Sequence, residues 1–169
     1  MRQSLNRALL AIFVTGLLLT GLLLALVPPT GPAGPVLLMF PLTVVAYLVA
    51  GLLAWHGRPG TLMGPLILLS GAAVFLTGLG NSQVLALIAV GSIAASLPLA
   101  TFIHLLLAFP TGRLPSAPAR LTATAGYMTA LVLQAPAVLF SADSGLSITE
   151  DPAMVQAGQL LQGAVGSIV

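Results

Sequence analysis

Residues 9–27 read Leu-Leu-Ala-Ile-Phe-Val-Thr-Gly-Leu-Leu-Leu-Thr-Gly-Leu-Leu-Leu-Ala-Leu-Val and stop at Pro28–Pro29. No charge interrupts the run. A helix that crosses the ~30 Å hydrocarbon core of a bilayer needs about 20 apolar residues, and this run has that length. A secretory signal peptide is the rival reading, with Arg2 and Arg7 as its basic head. Its apolar core would be only about 7–15 residues long, followed by a small-x-small cleavage site. The run is longer and no such site precedes the prolines, so it reads as a retained anchor.

The rest of the chain agrees. Of 169 residues, 58% are hydrophobic and 5% are charged, against about 25% charged in a soluble globular domain. Five Arg, no Lys and three acids cannot cover a soluble body of this size. A soluble enzyme is excluded, as is a disordered chain, which needs low hydrophobicity and high charge. The net charge of +2 rests on Arg scattered along the chain, with no basic patch for a nucleic-acid backbone. There is no Cys, hence no disulfide, thiolate metal site or thiol chemistry.

Working outward from the first run, further apolar segments occur at 36–55, 64–79, 84–109, 121–140 and 153–169. Pro65 suits the first turn of the third. The last covers roughly 25 Å at ~1.5 Å per residue, short of a full crossing. No segment alternates like a barrel strand. The expected fold is therefore an all-α polytopic membrane bundle of about six helices in one transmembrane domain, without a soluble domain or internal repeat.

The loops set the orientation. With six alternating spans, Arg2, Arg7, Arg58, Arg113 and Arg120 all fall on one side, and Asp143, Glu150 and Asp151 on the other. Arg-bearing short loops stay cytoplasmic, which places both termini inside. Trp55, at the inner end of span two, fits an interfacial aromatic.

Ionisable groups inside a bilayer are costly and mark ion and substrate paths. Within the spans only His104 qualifies, which disfavours a proton-coupled transporter. Ser92, Ser96, Ala100, His104 and Ala108 recur every four residues and would share one face of a helix. Two readings are open. The face is a sensing or gating surface with His104 as a titratable element, or it is a packing seam with a neutral, hydrogen-bonded histidine. Pro98, Pro41 and Pro136 each remove a backbone donor and would kink their helices. Thr101 and Ser96 are candidates for the carbonyl that Pro98 frees, and Pro98 is a candidate hinge. His56 reads as a solvated loop residue.

No catalytic, cofactor-binding or metal site is expected. Ser92, Ser96 and His104 lie on one helix, whereas nucleophile and base must converge from different elements. Two distant His without neighbouring acids do not supply the three protein ligands of a catalytic metal. Gly78-Leu79-Gly80-Asn81 lacks the strand–loop–helix context of a nucleotide loop.

Two segments carry a resemblance. His104-Leu-Leu-Leu-Ala-Phe-Pro110-Thr-Gly112-Arg113-Leu-Pro-Ser resembles the Phe-Pro-x-Gly-Arg-Leu-Pro segment in the membrane region of actinobacterial two-component sensor histidine kinases, where Asp often stands in place of Thr111. Trp55-His-Gly-Arg-Pro-Gly60, followed by Gly64, is similar to the Arg-x-Pro-Gly-x-x-x-Gly-Trp lead into a span of those proteins, with Pro65 where Trp is common. The spacing of the two motifs, about fifty residues, also matches, and the likeness covers roughly residues 50–125. It implies the sensory membrane portion of such a kinase, in a bacterial plasma membrane and as a homodimer. A response regulator would be reached only through cytoplasmic kinase domains that this chain does not contain. Stimulus would be transmitted by helix movement, with the Phe109–Arg113 turn as the inner corner. The alternative expectation is a stand-alone small membrane protein, such as a permease subunit or scaffold.

Overall fold

The computed structural model describes residues 2–27, 33–132, 134, 153, 155–157 and 159–160. The outer part of the fifth expected span, most of the sixth, Pro28, Pro29, Pro136 and all three acids lie outside the described residues. The described chain is helical: α1 (Arg2–Leu26), α2 (Gly34–Gly57), α3 (Met63–Gly78), a 3-10 turn (Leu79–Asn81), α4 (Leu85–Ile93), α5 (Leu97–Ala108) and α6 (Ala117–Leu131). Among the described residues, four stretches are long and apolar enough to cross a membrane: Asn6–Leu26, Gly34–Gly57, Met63–Asn81 and Leu85–Ala108.

Prolines open helices throughout. Pro35, Pro98 and Pro118 occupy the first turns of α2, α5 and α6, where the missing N–H has no intrahelical acceptor in any case. Pro65 falls in the first turn of α3, as expected. Pro41 stays inside α2 and is buried.

Two expectations change. Span four is not one kinked helix: α4 ends at Ile93, residues 94–96 form turns, and Pro98 stands in the first turn of a new helix. Pro98 has no N–H for the Ala94 carbonyl four residues back, and its ring crowds that carbonyl. The Leu97 N–H reaches Ala94 O instead, at 2.9 Å. The helix that enters the fifth apolar run starts before that run does. Ser116 caps α6 by accepting from the Ala119 N–H at 3.3 Å, so Arg120 lies in the first helical turn rather than in a loop.

α1 packs on α2, α2 on α3, α3 on α5, and α5 on α6. Of the Met63–Asn81 stretch 39% is buried in protein, against 17% of Asn6–Leu26, which makes α3 the centre and α1 peripheral. Leu10, Val14, Leu17, Leu18 and Leu22 of α1 point outward. An apolar face this continuous is far beyond what a soluble monomer exposes and suits lipid.

The α2–α3 interface sets glycines against aromatic residues. A Cβ on Gly64 would lie 2.6 Å from Trp55 Cβ and 2.7 Å from its backbone N; one on Gly71, 2.9 Å from Tyr47 Cβ; one on Gly78, 3.4 Å from Phe40 Cβ. The glycines recur every seven residues, and the facing aromatics descend in antiparallel order. Glycine at these points lets the backbones approach closely, which is how helices gain contact where lipid supplies no hydrophobic drive.

Candidate functional site

The two segments that carry the family resemblance meet at one end of the bundle. The Leu62 N–H donates to Thr111 O at 3.0 Å, joining the α2–α3 loop to the turn after α5. That turn is held from within. The Gly112 N–H returns to Ala108 O at 2.8 Å, and the Arg113 N–H reaches Thr111 Oγ1 at 3.2 Å. Gly112 has φ +77°, a conformation that L side chains rarely adopt. A Cβ there would also run into the Leu62–Met63 backbone. Glycine is thus required twice at this position, for its dihedral and for contact with the start of α3. Pro110 and Arg113 are exposed beside it. In the facing loop, Thr61 bonds back to Arg58 O through both its N–H (3.1 Å) and its hydroxyl (3.0 Å).

The expected four-residue face divides at the helix break. Ser92 stays on α4, while Ser96, Ala100, His104 and Ala108 follow α5. The α5 part turns toward α6. Ser96 Oγ donates to Gln134 Oε1 at 3.4 Å, and His104 Nδ1 pairs with Tyr127 OH at 3.1 Å. The two rings meet edge to face, with centroids 5.8 Å apart and an interplanar angle of 84°. Ala100 and Ala108 are buried on α5, and Ala123 and Ala130 on α6. Gly126 brings α6 close to Ala100. The histidine therefore belongs to a hydrogen-bonded packing seam, whose α6 partners were not identified from the sequence.

At the break, the Ala94 carbonyl is met from another helix. Thr77 Oγ1 on α3 lies 2.9 Å from Ala94 O and 3.0 Å from Ala73 O on its own helix, its single proton shared between them. Neither candidate from the sequence fills this role: Thr101 Oγ1 donates to Pro98 O at 2.9 Å, and Ser96 is engaged with Gln134. Gly80 and Gly91 touch backbone to backbone just before the break, so the 3-10 turn after α3 lies on the C-terminal end of α4.

Two apolar grooves flank α3. One, about 350 Å³, is walled by α1, α2 and α3 and includes Gly16, Val44, Leu48 and Phe75. The other, about 290 Å³, lies between α2, α3 and the start of α5, with Thr43, Thr77 and Pro98 in its wall. Among the described residues their polar groups are the hydroxyls of Thr15 in the first and of Thr43 and Thr77 in the second, and neither lining includes a carboxylate or a histidine.

No protein-family model, curated protein or solved structure matches this chain.

Proposed function

We propose that this chain is a multi-pass sensory module of a bacterial plasma membrane, of the kind that precedes the kinase domains in sensor histidine kinases. In this reading it has about six spans with both termini inside, and it carries conformational signals rather than catalysing a reaction. The observation that supports the reading is the Leu62–Thr111 hydrogen bond with Gly112 seated against Leu62–Met63. The two segments that suggest the family, far apart in sequence, form one corner. A helix–turn–helix pair on each side of that corner cannot shift without pulling on the other.

A signal acts by binding two packings unequally. The α5–α6 seam is where two packings differ at least cost, because its contacts are a few hydrogen bonds and small side chains, whereas α4 is held backbone to backbone where Gly80 meets Gly91. A homodimer would bring two such corners together beside the kinase helices. The test is the reading frame past Val169. Continuation into a histidine-bearing helix pair and an ATP-binding domain supports the proposal; a stop codon with no kinase gene adjacent removes it. Reporter fusions after Gly80 should read outside, and those after Gly60 and Pro115 inside.

A further inference from the structure

We infer that the arginine-bearing end of the bundle is a docking surface for the headgroups of anionic phospholipids. Arg58 and Arg113 lie on the two loops that Leu62 and Thr111 join. Arg120 follows in the first turn of α6, where its Nε donates to Ser116 O at 3.4 Å. Arg7 reaches the same level: Gly16 of α1 lies against Leu48 of antiparallel α2, and an equal number of residues toward the loop leads to Arg7 and to Gly57. All four are exposed.

Nothing in the neighbouring sequence neutralises them. The first acid in the chain is Asp143, and none of the four makes an ion pair among the described residues. The positive charge is reinforced by the N-terminal end of the α6 dipole, which points to this end. A cation in a first helical turn is disfavoured by the helix dipole, so Arg120 needs an anion nearby more than the others do. Exposed Phe109 and half-buried Trp55 border the same loops, at the depth where aromatic side chains meet headgroups. The Gly112 turn fixes the backbone beneath Arg113, so the surface is preformed.

The chemistry selects a net-negative headgroup. A zwitterionic lipid offers its phosphate together with an ammonium that cancels much of the attraction; phosphatidylglycerol and cardiolipin offer phosphate alone. This inference rests on the membrane-spanning part of the proposal and is independent of the sensory part.

The test reconstitutes the full chain in vesicles of four parts phosphatidylcholine to one part phosphatidylglycerol, excises it with a membrane-solubilising polymer and counts the retained lipids by mass spectrometry. The wild type should be enriched in phosphatidylglycerol over the bulk ratio, less so as salt rises, because salt screens exposed charges. R58Q/R113Q should lose most of the enrichment, about fivefold per arginine removed, and R58K/R113K should keep most of it. A wild-type lipid shell of bulk composition, or enrichment indifferent to salt, overturns the inference even if the glutamine variant does not fold. So does a folded R58Q/R113Q that matches the wild type. An alkali wash that strips the chain from the vesicles would instead overturn the spanning reading.

Discussion

The α2–α3 and α5–α6 interfaces hold helices together by different means. Between α2 and α3, Gly64 admits the backbone at Trp55, and Gly71 and Gly78 admit the Cβ atoms of Tyr47 and Phe40, and the contact is steric. α5 is tied to α6 by His104–Tyr127, and to Gln134 just past the end of α6 by Ser96, across a row of alanines. A steric interlock has one arrangement and fails abruptly when a methyl group is added. A polar seam can break and remake its bonds, and in a membrane each such bond is worth only about 0.6 kcal/mol on average. These contacts predict a rigid half at α2–α3 and an adjustable half at α5–α6, joined at the Leu62–Thr111 corner and by the Thr77–Ala94 bond.

Four substitutions separate the two. Gly112→Ala should be the most damaging. It adds the cost of a positive φ to a collision with backbone, for a loss of about 3 kcal/mol or more. The corresponding control, Gly57→Ala, meets nothing within 4 Å and should leave detergent-phase thermal unfolding unchanged. Gly64→Ala should follow, at about 1–3 kcal/mol, because Trp55 backbone must retreat; quenching of the Trp55 fluorescence would report the displacement.

Thr77→Val removes the second donor to the Ala94 carbonyl, beside the Leu97 N–H, at the break that Pro98 makes. We expect a loss of about 1 kcal/mol that shrinks when Pro98→Ala restores an N–H to the Ala94 carbonyl. Simple additivity in that double-mutant cycle would show that Thr77 is not serving the break. Tyr127→Phe should have the smallest effect, about 0.6 kcal/mol, measured by the same unfolding assay. A loss as large as that of Gly64→Ala would mean that the seam is as rigid as the interlock.

Much of the rigid half was readable in advance. The start and end of α2 and α3 lie within two residues of the apolar runs, because the runs are separated by a stretch, residues 56–61, that is polar and rich in Gly and Pro. The glycine register of α3 was also present in the sequence, but its meaning depends on the antiparallel aromatics of α2, which only packing reveals. The adjustable half was harder. Hydropathy runs unbroken from Val84 to Phe109, so Pro98 looked internal, although the same residue type opens α2 and α6. The Thr77–Ala94 bond joins residues of different helices and leaves no local mark. At α6, Ser116 and Pro118 form a recognisable start, but Arg120 suggested a loop; its long side chain folds back to Ser116 O instead. His104 stands out in the sequence as the ionisable residue within a span, while its partner Tyr127 does not, because nothing within α6 distinguishes a tyrosine that pairs across the seam from one facing lipid.

The corner is the point on which the account depends, and the absence of Cys from the chain makes it directly measurable. With Leu62→Cys and Thr111→Cys in the full chain in native membranes, a short bifunctional thiol reagent should link the pair rapidly and in high yield. The pair Asn81→Cys and Thr111→Cys, at opposite ends of α3, should not link. Equal yields for the two pairs, or none for 62 with 111, would contradict the joined corner and with it the coupling of the two halves.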